Sequence, residues 1–186
     1  MLKPYFNALL LAALMALPWP AFAAANQDRV LALLENATWV AEGTDQPERV
    51  VYMFTDMNCP YCARQWQAMQ PYLQRDDNVT QVRHILIALL RPSSLPKAAA
   101  VLAADDPAAT FAQAERHYGQ QGAGPEPLET VPAELENQIQ GNTILMMRLG
   151  LKGTPATLFL DPDGKLQVAP GVLSDDALRR YVFQVE

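Results

Sequence analysis

Cysteine and histidine are scarce in this chain, with two of each among 186 residues. The cysteines, Cys59 and Cys62, have only two residues between them. The one staple they can make closes so short a loop that chain entropy values it at about 2 kcal/mol, less than a long-range bridge. The histidines, His84 and His117, are too widely spaced to match a compact zinc pattern. Both read as structural or solvated. Basic residues are in the minority: 14 Lys and Arg against 20 Asp and Glu, a formal charge of −6. Scattered cations on an acidic chain argue against nucleic acid as a partner. Past the N-terminus there is no second long apolar run, so the mature protein is expected to be soluble. No internal repeat and no low-complexity tract occurs.

The apolar run that does exist begins the chain. Residues 1–23 read as a secretory signal peptide: Lys3 is the positive start, Ala8 to Leu17 the apolar core, Pro18 and Pro20 the break, and Ala21-Phe22-Ala23 a small-x-small cleavage site. A membrane span needs about 20 apolar residues, more than this run has. Export implies an oxidising compartment, where a close cysteine pair can form a disulfide and cycle. Cleaving 23 of the 186 residues leaves 163, and losing Lys3 takes the charge from −6 to −7. That length suits one domain with a real core.

The chain is organised around Asp56-Met57-Asn58-Cys59-Pro60-Tyr61-Cys62. The apolar run Val50 to Thr55 leads in, and the helix-like run Ala63 to Met69 leads out. A strand ends, the chain turns, and a helix begins at the cysteines. Pro60 fits the first helical turn, where a missing N–H costs nothing. Cys59 then faces unpaired N–H groups and the positive end of the helix dipole, a place that stabilises a thiolate. Cys62 lies one turn further in, less exposed and within reach. The pattern is that of a nucleophile and a resolving thiol. Tyr61 shapes the entrance, and Asp56 and Asn58 flank it, the acid opposing the thiolate.

In order along the chain, Asn26 to Asn36 reads as a helix and Thr38 to Ala41 as a short strand. The central strand and the cysteine helix follow, the helix running to about Leu73. Val79 to Leu90 reads as a strand buried on both faces, parallel to the first through a crossover. Pro92 to Gly150 is helical, over Pro96 to Ala104, Pro107 to Tyr118 and Glu134 to Leu149, with a mobile Gly/Pro loop at Gly119 to Pro132. Met146-Met147 reads as core packing. Pro155 opens a strand that turns through Asp161-Pro162-Asp163-Gly164 into Lys165 to Val168. A proline at the start of an inner strand fits a cis bond beside the active site or a trans bond in an ordinary loop. Ser174 caps a last helix with Leu178, Tyr181 and Val182 facing inward.

This order resembles the thioredoxin fold. Phe54 to Trp66, the stretch from Arg91-Pro92 to Pro107, and Gly153 to Gly171 resemble more closely the catalytic domain of the DsbC/DsbG family of periplasmic disulfide-interchange proteins. The likeness runs from about Trp39 to the C-terminus. It implies an α/β, thioredoxin-like fold with a helical insertion between the βαβ half and the cis-Pro ββα half. It also implies that residues 24–38 are a short linker-like helix and 39–186 the catalytic domain. By position, Cys59 is the attacking cysteine and Cys62 the resolving one. Pro155 is a cis-proline, and Thr154 before it tunes the site beside Pro60 and Tyr61. The family carries an N-terminal dimerisation domain for which this chain has no room, so a monomer is expected. Thioredoxins bury an aspartate in the central strand where Met53 stands here, which argues against a strongly reducing role.

The resemblance implies a DsbG-like, periplasmic thiol–disulfide oxidoreductase. It would reduce or isomerise disulfides, or reduce sulfenic acids, in exported proteins. Its only redox group is the Cys59–Cys62 pair, without cofactor or metal. A membrane redox partner would reset the pair, a DsbD-like reductant or, for a DsbA-like oxidase, a DsbB-like oxidant. A non-catalytic holdase on the same scaffold is the remaining alternative.

Overall fold

The computed structural model describes residues 19–120 and 124–185, with side chains from residue 26. Five strands form one mixed sheet: β1 (Trp39–Gly43), β2 (Arg49–Asp56), β3 (Thr80–Ile87), β4 (Ala156–Leu160) and β5 (Leu166–Pro170). Their order is β1-β3-β2-β4-β5. β2 and β3 run parallel and the other neighbours antiparallel. A parallel pair needs a crossover, and α2 (Pro60–Leu73) supplies it. Ahead of the sheet lies α1 (Trp19–Glu35). The insertion between β3 and β4 holds α3 (Ser94–Leu102), α4 (Pro107–Arg116) and α5 (Ala133–Arg148). A short α6 (Asp175–Ala177) runs into a π-helical turn, Leu178–Val182.

β2 is buried on both sides, and its alternate residues feed different cores, as the period of a strand requires. Val51 and Met53 pack with Cys62, Met69, Phe159, Leu178 and Phe183. Tyr52 and Phe54 point the other way, to Leu34, Ile87, Met146 and Leu158 under α1 and α5. A third group, with Trp66, Phe111, Ala98 and Ile139, binds the insertion to α2 and the sheet. Asn142 of α5 is buried and pins that helix to β3 and to the residue before β1, donating to Leu86 O at 2.9 Å and Thr38 O at 2.7 Å.

Gly43 ends β1 at φ +104°, and a Cβ there would lie 2.3 Å from the Thr80 carbonyl oxygen. Gly43→Ala therefore combines a left-handed backbone with a backbone clash. Urea unfolding of this variant is expected to show a loss of about 2 kcal/mol or more.

The element order follows the sequence reading, with four differences. The first helix begins at Trp19, upstream of Asn26. The expected leader, residues 1–23, lies outside the described residues as far as position 18. β3 stops at Ile87 instead of Leu90, because the N–H groups of Leu89 and Leu90 turn away to a side chain, and both leucines stand about half exposed. Of Met146-Met147, only Met146 is core; Met147 is exposed. Tyr181 is exposed as well. The π turn shifts the phase of the last helix: Phe183 N–H reaches back to Leu178 O, and Phe183 is buried instead, its ring stacked 4.7 Å from Tyr72.

Candidate active site

Cys59 is the N-cap of α2, with extended backbone at φ −95° and ψ 109°, and Pro60 occupies the first helical position. Cys62 N–H donates to Cys59 Sγ at 3.3 Å. Cys59 Sγ lies 3.4 Å from Thr154 O. Thr154–Pro155 is a cis peptide bond, which answers the alternative left open by the sequence, and Pro155 is buried. The site therefore joins the start of α2 to the start of β4, 95 residues away in the chain. Both cysteines are free and buried, Cys59 2% exposed and Cys62 0%. Tyr61, between them, is exposed, with the Arg64 guanidinium over its ring at 5.8 Å.

The two sulfurs differ sharply in acidity. Cys59 is held down at about 6, first by the hydrogen bond from the Cys62 thiol. Burial works against this, and the Thr154 hydroxyl and the N–H groups of Cys62 and Tyr61 work with it. Cys62 is pushed far above the ordinary thiol range, chiefly by its own burial. One cysteine is thus a thiolate near neutral pH and its neighbour a proton-bearing thiol. The helix end contributes through its N–H groups, but the second cysteine contributes more.

Asp56 does not flank an entrance, contrary to the sequence reading, whereas Asn58 lines a cavity beside the site with Met57, Lys97 and Tyr118. Asp56 is fully buried. Its Oδ1 accepts from Asn58 N–H at 2.9 Å and the Ser94 hydroxyl at 2.7 Å, and its Oδ2 from the N–H groups of Leu89 and Leu90 at 2.8 and 2.9 Å. Asn58 is tied just as closely. Its amide donates to the hydroxyls of Ser93 at 3.1 Å and Ser94 at 3.0 Å, Lys97 Nζ donates to its Oδ1 at 2.9 Å, and the Tyr118 hydroxyl donates to its carbonyl at 2.8 Å. These bonds hold the loop before Cys59 to the segment after β3, to α3 and to the residues just past α4. Ser93, Ser94 and Lys97 lie in the Arg91–Pro107 stretch that carries the family resemblance, but nothing local in the sequence marked them, or Tyr118, as partners of Asn58.

The histidines stay outside the site. His84 is fully buried on β3, its Nε2 2.7 Å from Glu42 and its ring 4.4 Å from Phe111. His117 is the C-cap of α4. Among the described residues no three His, Cys, Asp or Glu are placed to share a metal ion. Met53 is buried in the apolar group that surrounds Cys62.

Comparison with known proteins agrees with this geometry. The family model of the thioredoxin-like domain matches residues 34–186. The chain is similar to the thiol:disulfide interchange protein DsbG of Pseudomonas aeruginosa, 36% identical over 147 residues, which covers 78% of this chain and 55% of that protein. The DsbG of Escherichia coli is 33% identical over 143 residues, covering 75% and 54%. The chain thus spans about half the length of these relatives. A periplasmic thioredoxin-like protein from Salmonella enterica serovar Typhimurium superimposes with a TM-score of 0.67 at 24% identity, over 82% of this chain and 92% of that one. The catalytic domain of Proteus mirabilis ScsC does so with 0.66 at 22%, over 88% and 95%. From the family match, with the cysteine pair at the start of α2 and the cis-proline beside it, the chain belongs to the thioredoxin-like domain family.

Proposed function

We propose that this chain is a thiol–disulfide oxidoreductase of the DsbG type, acting in the periplasm on exported proteins. The observation that carries this reading is the placement of Cys59 as the N-cap of α2, its sulfur accepting the Cys62 N–H at 3.3 Å and lying against Thr154, with Cys62 fully buried behind it; this setting holds Cys59 down at about 6. Cys59 thiolate attacks a substrate disulfide, or a sulfenylated cysteine, and forms a mixed disulfide. The leaving group departs as a thiolate or as hydroxide. Cys62 then loses its proton and attacks Cys59, which releases the substrate cysteine reduced and leaves a Cys59–Cys62 disulfide. A membrane redox partner, a DsbD-like reductant, resets the pair. The main chain at Thr154 sits against the attacking sulfur, so a substrate strand can pair there without sequence preference.

A second reading, a DsbA-like disulfide donor recharged by a DsbB-like oxidant, gains support from the same thiolate. Stabilising Cys59 as a thiolate favours the reduced form and so makes the disulfide a stronger oxidant.

Titration of the reduced protein tests the common core of both. Thiolate absorbance and the rate of alkylation at Cys59 are expected to rise with a midpoint of about 6, not near the ordinary thiol value of 9.0. The sign follows from the depressed value: the nucleophile is lost as pH falls through about 6 and is essentially complete by about pH 8. A midpoint above about 8 would remove the chemical basis of the proposal.

A further inference from the structure

One buried acid plays no part in the mechanism above. Glu115, on α4, is 1% exposed. Its Oε2 has no hydrogen-bond donor, and its side chain joins no ion pair among the described residues. Buried carboxylates are normally paired, because an unpaired one costs several kcal/mol. The element that carries it is docked at the reactive end of α2: Tyr118, three residues on, donates to the carbonyl of Asn58, the residue just before Cys59.

Three negative groups act on Glu115, and none of the described cations pairs with it. Cys59 at the start of α2, Glu42 on β1 and Asp56 at the end of β2 each act on it as negative charges. The neighbouring donors face other groups. The Trp66 indole donates to Glu42 at 2.6 Å, and His84 Nε2 of β3 lies 2.7 Å from the same carboxylate without a hydrogen bond. Lys97 of α3 is bonded to Asn58, and Arg116 lies over Trp66. Asp56 is saturated by its four donors.

We propose that Glu115 is a proton-holding residue whose protonation is tied to the redox state of Cys59: it keeps its proton opposite the thiolate and gives it up when Cys59 enters a disulfide. The proposal rests on Cys59 being the redox-active sulfur. Burial first, and then the Cys59 charge ahead of those of Glu42 and Asp56, push the carboxyl up to about 8. A disulfide removes one of these charges, so the carboxyl ionises more readily in the oxidised protein. The balance is as follows. Reduction of the Cys59–Cys62 disulfide by two glutathione thiols brings two electrons, breaks the S–S bond, and leaves Cys59 as a thiolate and Cys62 as a thiol. Glutathione is oxidised to its disulfide. Of the two thiol protons, one goes to Cys62; of the other, between the two ionisation points of Glu115, a fraction goes to Glu115 and the rest to solvent. Oxidation reverses each transfer.

The test is the equilibrium of the full-length protein with glutathione across pH, in the wild type and in Glu115→Gln, with urea unfolding to confirm that both fold. At about pH 6 the carboxyl is neutral in both redox states, and the two proteins should agree within about twofold. At about pH 9 the ionised carboxyl opposes the thiolate only in the wild type, and the variant should favour its reduced form by about tenfold, the equivalent of one pKa unit. The Cys59 midpoint near 6 should not move, since the acid still holds its proton there. A difference of the same size at all pH values, or none at any, would overturn the proposal. If the variant does not fold, redox-difference infrared spectroscopy of the wild type near pH 7 decides. A protonated-carboxyl band stronger in the reduced than in the oxidised protein supports the proposal, and an unchanged band overturns it. A wild-type pair that never exchanges with glutathione would instead remove the oxidoreductase reading, and this inference with it.

Discussion

Replacing Cys62 with serine is expected to turn a transient intermediate into a trapped one. Cys59 keeps its place as the N-cap of α2 and its contacts with Thr154 and the N–H groups of the first turn. It can still attack. The resolving sulfur is gone, and the mixed disulfide must wait for a thiol from solution. A neighbouring thiol in the same helical turn acts at a very high effective concentration, so the lifetime of the adduct should lengthen by at least about a hundredfold. Exported proteins should then appear covalently bound through Cys59 on non-reducing gels, and disappear on reduction. Cys59→Ser should trap none. Cys62→Ala, which leaves no side-chain donor at this position, removes the largest influence holding Cys59 down, so its thiolate midpoint should rise above about 6. If Cys62→Ser yields no adducts while Cys59→Ser still protects unfolded proteins from aggregation, the chain is a holdase and the exchange mechanism is wrong.

The second large effect lies at Asp56. Its carboxylate is the common acceptor for three backbone N–H groups and one hydroxyl from three separate segments. Asp56→Ala leaves all four donors without it in a fully buried place. Each orphaned group costs about 1–3 kcal/mol, reduced where water can enter, so a loss of at least about 3 kcal/mol is expected. For a chain of this size that lowers the unfolding temperature by roughly 10 °C. Asp56→Asn should cost nearly as much. An amide keeps one acceptor but turns an NH2 group toward donors on one side. The loop before Cys59 loses its anchor in either variant, so the thiolate midpoint should move as well. Urea unfolding and the Cys59 titration on the same samples measure both. Stability within about 1 kcal/mol of the wild type would mean that the four bonds are not what holds the loop.

The parts of this protein readable from the sequence are those with local causes. An apolar run ending at Cys59-Pro60-Tyr61-Cys62, with proline at the first helical position, specifies a strand–helix junction. The alternation of apolar strands and amphipathic helices carries the element order, and the Gly153 to Gly171 stretch carries the hairpin. The site itself was legible to the extent that its chemistry sits in one turn of one helix. What only the tertiary structure decided involves residues brought together across the insertion. Asp56 reads locally as an acid beside the nucleophile, but it is consumed by Leu89, Leu90 and Ser94, more than 30 positions on. Those bonds also end β3 early, against the unbroken apolar run. Glu115 looks like any solvated helix acid, and only the packing of α4 over α2 and β1 takes it out of water. The Thr154 carbonyl meets Cys59 because β4 is paired antiparallel to β2, with Ala156 opposite Phe54. Periodicity and capping are written residue by residue. The destination of a buried polar group depends on which distant segment reaches it first, and the docking of the helical insertion settles that.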